Sequence, residues 1–492
     1  MQKGVVDFIT LGCSKNLVDA ERVMRQLEAA GWTCVHDPKE PKGEVCVINT
    51  CGFIGDAKEE SINMILQMAE RKKKGKLRKL IVMGCLSERY RAELEDELPE
   101  VDEYFGKFDF LKIVESLKLK VLSPKGHDYL AEPNFERSSR VESCKWIERK
   151  LTTPKHYAYL KISEGCNRMC SYCAIPLITG RHTSRPMEEI LDEVRWLVKQ
   201  GVKDINVIAQ DLSSYGLDLV DSRSSLVDGH SSLVDSRSSL VNGPKTSHQR
   251  RHLLPELIDQ MAQIEGVEWI RLHYAYPTDF PEGLLDVMAK HKNVCKYLDI
   301  ALQHCTDHML GLMRRHITRA KQDALIHKIR ERVPGICIRT TLLVGHPGET
   351  EEDFEELKKW VKEMRFERMG CFAYSDEEGT YANKHYKDDI PQEVKERRVE
   401  ELMAIQQGIS GELMQRLVGT VQRVVIDREE GEYFIGRTQF DSPEVDCEVL
   451  IEKLRVESLE LKEVEELKVG EFYNVEITKA EEFDLYGEVV GR

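Results

Sequence analysis

The sequence lacks any run of roughly 18 apolar residues, the length that a membrane-spanning helix requires. Residues 1–10 lead directly into a strand-like run and lack the pattern of a signal peptide. The 14 cysteines therefore stand in a long chain without export signals, where metal ligands are expected more often than disulfides. We expect a cytoplasmic protein without a membrane partner.

The chain also lacks a surplus of basic residues, since its net charge is −15. Residues 421–492 contain 20 acidic and nine basic residues, a net charge of −11, so the other 420 residues carry only −4. Such an acidic terminal domain repels phosphate backbones and attracts basic partners. Direct nucleic-acid binding through this domain is therefore not expected.

The 492 residues exceed the size of one ordinary domain. Residues 1–122 alternate apolar runs with helical stretches, and the runs lie at 5–11, 45–49 and 80–83. This alternation predicts an N-terminal open parallel α/β domain.

Three cysteines of this domain each follow one of the predicted strands, namely Cys13, Cys51 and Cys85. The carboxyl ends of parallel strands line the ligand crevice of an open sheet, so we expect the three thiols to converge. Taken singly, buried cysteines are more often core residues than ligands. Their shared position after three strands favours a metal cluster with three protein ligands.

Residues 123–150 form a polar connector, which indicates a linker. From 151 to 417 a second series of strands and helices follows, with strand candidates at 157–162, 204–209, 269–273, 297–301, 336–344 and 370–373. Six such units predict a partial, TIM-like (β/α)6 barrel whose site lies at the carboxyl ends of its strands. A Ser-rich repeat at 219–243 interrupts the series and is expected to be a disordered insertion.

The loop after the first strand of this barrel carries Cys166, Cys170 and Cys173 in CxxxCxxC spacing. A loop this tight turns three thiolates towards one centre, and thiolates are the ligands that iron–sulfur clusters select. A structural zinc site is the alternative, but it needs four protein ligands. The spacing resembles the signature of the radical S-adenosylmethionine enzymes, in which the iron without a protein ligand binds that cofactor.

Several residues near the predicted strand ends are candidates for contacts with S-adenosylmethionine, and these are Tyr172, Arg181, Arg185, Gln210, Gln303 and Gly345. Amides at strand ends point into the site of such a barrel. Ordinary turn and surface residues remain the alternative, especially for the two arginines.

The sequence pattern changes after a helical stretch at 391–417. Five strand-like runs follow at 421–426, 433–437, 445–451, 473–479 and 485–490, separated by acidic and glycine turns. This pattern predicts a small closed β-barrel of the OB type at 421–492.

Together, these three domains resemble the radical S-adenosylmethionine methylthiotransferase family, whose terminal module is called TRAM. The details resemble the branch that modifies an aspartate of ribosomal small-subunit protein uS12, and the matching motifs are Leu11-Gly12-Cys13-Ser14-Lys15-Asn16, Asn49-Thr50-Cys51-Gly52-Phe53-Ile54, Gly84-Cys85-Leu86 and Gln210-Asp211-Leu212-Ser213-Ser214-Tyr215-Gly216. Ser14 and the repeat insertion depart from the pattern of this branch, but neither is a ligand position.

The resemblance implies two 4Fe–4S clusters, S-adenosylmethionine and an electron donor such as flavodoxin or ferredoxin. It also implies transfer of a methylthio group to the β-carbon of the target aspartate, a step for which the cofactors supply the reactivity. A tRNA adenosine methylthiotransferase and, more distantly, a non-enzymatic iron–sulfur carrier are the alternatives.

Overall fold

A computed structural model describes residues 1–118, 148–219, 252–453 and 467–491. Most of the predicted linker at 123–150 and nearly all of the repeat insertion at 219–243 lie outside these ranges. The described chain contains a five-stranded sheet, a six-stranded sheet, a closed barrel and a small two-stranded sheet.

The N-terminal sheet is parallel and has the strand order β2-β1-β3-β4-β5. Its strands are β1 Gln2–Thr10, β2 Thr33–His36, β3 Gly43–Thr50, β4 Lys79–Gly84 and β5 Glu103–Tyr104. The chain reverses its direction across the sheet between β1 and β3, and ligands bind at such switch points. The edge strand β5 was not predicted because two residues give too little periodicity.

The helices that accompany this sheet within residues 1–118 are α1 Ser14–Ala29, α2 Gly55–Lys73, α3 Cys85–Glu97 and α4 Phe110–Lys118. Helical periodicity alone would place Ile62 and Leu66 on the buried face of α2, but they are 36% and 45% exposed. The helix instead buries Ser61, because its hydroxyl accepts the Cys51 N–H at 3.0 Å. The buried face of α2 thus combines this polar contact with the apolar side chains of Ile65, Met68 and Ala69.

The central sheet confirms the predicted open parallel architecture, with the order β13-β12-β11-β10-β9-β6. Its strands are β6 Tyr157–Lys161, β9 Asp204–Ile208, β10 Trp269–Ala275, β11 Val294–Ile300, β12 Cys337–Val344 and β13 Arg368–Ala373. Within the described residues, β6 and β13 are edge strands, so the sheet is a partial barrel. The strands β7 Ser163–Glu164 and β8 Thr183–Ser184 form an antiparallel pair beside it.

The helices of the central domain pack around this sheet and are α5 Ile175–Thr179, α6 Met187–Lys199, α7 Leu254–Ala262, α8 Gly283–Lys290, α9 Asp307–Leu312, α10 Arg319–Arg332, α11 Glu351–Met364, α12 Tyr381–His385 and α13 Gln392–Gln415. A 3-10 turn lies at Leu212–Ser214. Among the described residues, no helix combines the length and the apolar composition needed to cross a membrane.

The terminal strands confirm the predicted closed barrel, in the order β14-β15-β16-β18-β17. They are β14 Val421–Glu430, β15 Tyr433–Thr438, β16 Glu448–Glu452, β17 Phe472–Ala480 and β18 Asp484–Gly491. The third strand begins three residues later than the predicted 445, because Asp446 accepts the Ser442 N–H at 2.9 Å and holds the chain in a turn.

The terminal barrel packs against the amino-terminal ends of the central strands through buried charges. Asp204 at the start of β9 pairs with Arg437 of the barrel and, at 3.4 Å, with Arg271 of β10. His156 lies 2.6 Å from Asp427 of the barrel. The barrel therefore covers the amino-terminal ends of the central strands and lies opposite their carboxyl ends.

Removing the Asp204 charge should weaken this contact, because two buried guanidinium groups would lose their shared anion. We expect Asp204→Asn to lower the free energy of unfolding by about 3–5 kcal/mol. In urea unfolding, Glu268→Gln is the matched control, since the Glu268–Arg423 pair joins the same two domains at an exposed site and should change stability by less than about 1 kcal/mol. Equal effects of the two substitutions would contradict the role assigned to Asp204.

Candidate active site

The N-terminal cysteines lie at the carboxyl ends of neighbouring strands. Cys13 caps the start of α1, Cys51 directly follows β3, and Cys85 begins α3 directly after β4. Close approach of the loops depends on glycine, since a Cβ on Gly12 would lie 2.8 Å from the Cβ and 3.0 Å from the Sγ of Cys51. Similarly, a Cβ on Gly52 would lie 2.8 Å from the Cys85 carbonyl oxygen. The structure thus brings the three cysteine loops together.

Asn16 ties these loops to one another. Its side-chain amide donates to the carbonyl oxygens of Leu11 and Thr50, both at 3.1 Å. The thiol of Cys85 lies 3.5 Å from Asn16 Oδ1. One side chain therefore contacts the segments that carry all three cysteines.

The thiols of this trio would repel one another in their ionised, thiolate form. Burial, together with the nearby thiols of Cys13 and Cys51, raises the pKa of Cys85 to about 12 against the opposing effect of the Lys107 ammonium. Burial and Cys13 likewise raise the pKa of Cys51. Neighbouring thiolates that disfavour one another are stabilised by a shared cationic centre, as in metal clusters.

The second trio lies in the loop between β7 and α5. Gly165 begins the loop with φ of +78°, and a Cβ there would lie 2.2 Å from the Arg181 carbonyl oxygen. The Cys166 N–H donates to the Gly180 carbonyl at 3.2 Å, and the Cys173 N–H donates to the Cys170 carbonyl at 3.2 Å. These bonds turn the loop back on itself.

The second trio shows the same conflict between buried thiols. Burial, followed by the carboxylate of Asp211, raises the pKa of Cys166 to about 12. Burial and the Cys170 thiol also raise the pKa of Cys173. Across the described ranges, no three His, Cys, Asp or Glu side chains approach closely enough to hold one metal ion. A four-iron cluster is a different case, because each thiolate binds a separate iron, and each trio offers the three thiol donors that such a cluster takes.

Two arginines that the sequence pattern did not reveal enclose Tyr276 beside this trio. The Tyr276 hydroxyl and Arg315 Nη1 each lie 3.4 Å from the Cys170 sulfur. The Arg168 and Arg315 guanidinium carbons lie 4.3 and 4.0 Å from the centre of the Tyr276 ring. Arg315 also donates to the Tyr172 hydroxyl at 3.2 Å. Sequence spacing gave no signal for Arg315, since it lies 142 residues beyond Cys173.

Buried ion pairs connect the two trios. Lys107 Nζ lies 4.0 Å from the Cys85 sulfur and 3.1 Å from Glu164 Oε1. Glu164, two residues before Cys166, also pairs with Lys161 at 2.8 Å and accepts a hydrogen bond from Gln210. Burial alone would raise the pKa of Glu164, but the ammonium groups of Lys161 and Lys107 lower it to about 2. A short chain of charges thus runs from one cysteine loop to the other.

A cavity of about 870 Å³ lies between the N-terminal domain and the rim of the central barrel. Cys13 and Phe53 line it from one side, and Tyr172, Gln303 and Phe372 line it from the other. Gln303 has φ of +71°, and its backbone pairs with the strand β12 residues Thr341 and Leu343. Two of the residues predicted at the rim, Tyr172 and Gln303, therefore share a cavity with Cys13.

The other predicted rim residues lie elsewhere. Arg181 lines a separate cavity of about 380 Å³ together with Cys166. Arg185 instead pairs with the buried carboxylate of Glu193 at 2.7 Å. The Gly345 N–H donates to Glu349, and a Cβ on Gly345 would lie 2.3 Å from Lys395.

Several polar atoms near the central cysteine loop are buried without a hydrogen-bond partner in the described structure, and Gln210 Oε1 and Ser163 Oγ are among them. An unpaired buried polar atom costs about 1–3 kcal/mol. S-adenosylmethionine carries amino and hydroxyl groups that satisfy such atoms, so these residues fit that cofactor.

Three family models match the chain. The model described as Uncharacterized protein family UPF0004 matches residues 5–106, the Radical SAM superfamily model matches 160–361, and the TRAM domain model matches 418–490.

Curated relatives match over nearly the full length. The protein named ribosomal protein uS12 methylthiotransferase RimO from Bacteroides thetaiotaomicron is 56% identical over 492 residues and covers 100% of both chains. The protein of the same name from Flavobacterium johnsoniae is 47% identical, covering 99% of this chain and 98% of its own. A solved structure of the radical S-adenosylmethionine methyltransferase TsrM from Kitasatospora setae is 16% identical, covers 75% of this chain and 72% of its own, and has a TM-score of 0.49.

From the close approach of Gly12 to Cys51 we predict the effect of adding a methyl group at position 12. We expect Gly12→Ala to lower the free energy of unfolding by about 1–3 kcal/mol, because φ is +91° and the new Cβ collides with Cys51. Gly55→Ala is the matched control, since Gly55 lines the same cavity and its Cβ would meet only Ser375 Oγ, at 3.7 Å. Urea unfolding should separate the two variants, and equal stabilities would contradict the close approach of the loops.

Proposed function

The chain belongs to the RimO family of ribosomal protein uS12 methylthiotransferases, and from this premise we propose that its two cysteine trios serve one reaction chamber. It is a radical S-adenosylmethionine enzyme that transfers a methylthio group to uS12. Its cofactors are two 4Fe–4S clusters and S-adenosylmethionine. The proposal concerns which residues hold these groups and where uS12 enters.

The observation that carries the proposal is the cavity lined by both Cys13 and Tyr172. Cys13, Cys51 and Cys85 would hold one cluster, and Cys166, Cys170 and Cys173 would hold the other. Three thiolates leave one iron of each four-iron cluster without a protein ligand. When bound, the clusters and S-adenosylmethionine supply the radical chemistry and the sulfur that no acid or base side chain provides.

The protein's own side chains orient the clusters and S-adenosylmethionine and balance the negative charge of the thiolates. Lys107 beside Cys85, and Arg315 beside Cys170, place cations next to thiolates that would otherwise repel one another. Gln210 and Ser163 offer unsatisfied oxygens to S-adenosylmethionine. Tyr172 and Gln303 form the wall that a substrate side chain contacts when it enters the cavity.

We assign the β-carbon of an aspartate in uS12 as the position modified. The exposed rings of Phe53 and Phe372 line the cavity and offer an apolar contact to an inserted loop. A low-potential carrier such as flavodoxin or ferredoxin would supply electrons. We further propose that the enzyme works in the cytoplasm and binds RNA weakly, because residues 421–492 carry a charge of −11.

Anaerobic reconstitution tests the ligand assignment. We expect about eight irons per chain in the wild type and about four in either Cys170→Ala or Cys51→Ala, because each substitution removes one of two clusters. Only Cys170→Ala should abolish 5′-deoxyadenosine formation from S-adenosylmethionine under reducing conditions. Cys295→Ala is the matched control, since that buried cysteine lies in β11 within the core and should leave the iron content unchanged.

The product of the reconstituted enzyme distinguishes the two substrate classes. Incubation with uS12 should give a methylthio mass increment on one aspartate, located by fragmentation, whereas tRNA should remain unmodified. An increment on tRNA alone, or eight irons in the Cys51→Ala variant, would overturn the proposal.

The charge of the terminal barrel predicts how the enzyme meets its partner. Glu432 and Glu476 are exposed on this barrel, and replacing both with lysine should reduce the association rate with basic uS12 at low salt by roughly tenfold. The same variant should bind tRNA more tightly than the wild type. Binding measured at several salt concentrations checks both effects, and an unchanged association rate with uS12 would argue against electrostatic steering by this domain.

A further inference from the structure

Lys15 is a buried lysine in the first turn of α1, two residues after Cys13. Its side chain is directed across the domain boundary, and Nζ lies 3.3 Å from the centre of the Tyr274 ring at the end of β10. The residue is only 8% exposed. An ammonium group from the N-terminal domain therefore reaches the rim of the central barrel.

Lys15 differs from the other buried lysines because it forms no ion pair with a carboxylate in the part of the chain that the structure describes. Four others in the described ranges each form an ion pair: Lys79 with Glu103 at 2.5 Å, Lys107 with Glu164 at 3.1 Å, Lys161 with Glu164 at 2.8 Å and Lys395 with Asp388 at 2.6 Å. No described carboxylate oxygen lies within 4.0 Å of Lys15 Nζ, and its recorded contact is the face of the Tyr274 ring. A buried charge without an anion is costly, so a position of this kind favours an anionic ligand.

The nearby carboxylates are already engaged by other groups. Asp19, one turn further along α1, pairs with Lys161 and, at 3.9 Å, with Lys107. Asp299 accepts the Tyr274 N–H at 3.3 Å and lies 3.7 Å from Arg339. Neither carboxylate forms an ion pair with Lys15, whose ammonium acts on Asp299 only at longer range and opposes the rise in its pKa that burial causes.

The position of the ammonium is fixed with respect to both cysteine trios. Asn16, the next residue, holds the first turn of α1 against the Leu11 and Thr50 carbonyls. Tyr274 has φ of +65° and lies two residues before Tyr276, whose hydroxyl is 3.4 Å from the Cys170 sulfur. Lys15 therefore bridges the segment after Cys13 and the strand end that contacts Cys170.

We propose that Lys15 binds the carboxylate of the aspartate that is modified in uS12. This inference rests on the proposed function, because it assumes that an aspartate side chain enters between the two trios. The carboxylate carbon is bonded to the β-carbon, so a fixed carboxylate also fixes the carbon that accepts the methylthio group. A buried ammonium binds an aspartate carboxylate more strongly than the neutral amide of asparagine, and Lys15 thereby selects the residue type.

The test compares Lys15→Met with the wild type on two substrates, uS12 and uS12 whose target aspartate is changed to asparagine. We expect the substitution to lower kcat/KM for the aspartate substrate by about 10- to 100-fold, the value of a lost charged hydrogen bond. It should leave the asparagine substrate little changed, so the preference for aspartate collapses. Iron content and the 5′-deoxyadenosine formed without uS12 should equal those of the wild type.

Lys112→Met is the matched control, since its side chain is 67% exposed on the same domain and should retain the preference. Lys15→Arg keeps the charge and should restore part of the preference for aspartate. An equal loss on both substrates would show a structural role and overturn the inference. A fall in 5′-deoxyadenosine formation without uS12 would assign the ammonium to the carboxylate of S-adenosylmethionine and also overturn it. If the wild type modifies neither substrate, the proposed function fails first.

Discussion

The geometry of the site depends on buried ion pairs that join two separate parallel sheets. Lys161 at the end of β6 pairs with Asp19 of α1, and Lys107 after β5 pairs with Glu164 before the central cysteine loop. Buried ion pairs add little net stability, because desolvation offsets much of their attraction. They are selective about geometry, however, since a displaced partner leaves an unpaired charge. These pairs therefore fix how the two cysteine loops face each other.

Helix α1 is the element through which this constraint acts. Its first turn carries Lys15 and Asn16, and its middle carries Glu21, which accepts bonds from Arg149 at 2.6 Å and from the Thr152 N–H at 2.7 Å. Arg22 of the same helix lies 3.4 Å from the buried Glu193. The central domain holds the middle of α1. The position of its N-terminal turn therefore does not depend on contacts with a substrate. Separating the two domains would break all of these buried contacts together.

Part of this arrangement was predictable from local sequence. Parallel strands end at one edge, so Cys13, Cys51 and Cys85 were expected to converge, and the CxxxCxxC loop carries its three cysteines within eight residues. Lys107 and Arg315 were not predicted, because their roles depend on contacts between residues far apart in sequence, such as Lys107 with Glu164. Arg185 illustrates the opposite case: it follows the cysteine loop in sequence, yet its guanidinium serves Glu193. Sequence position indicates which loop carries a residue, but not which charged group its side chain contacts in the folded protein.

The terminal barrel completes an architecture that the central sheet leaves open. Asp446 of the barrel accepts the Tyr297 hydroxyl at 2.9 Å and lies 3.3 Å from Arg339 Nε, and the Gln439 carbonyl accepts from Arg271 at 2.8 Å. The acidic side chains of the barrel thus fall into two groups. Some neutralise arginines beneath the central sheet, and others remain exposed. Because a basic barrel would repel the arginines under the sheet, the negative charge of the barrel suits it to its place in the fold.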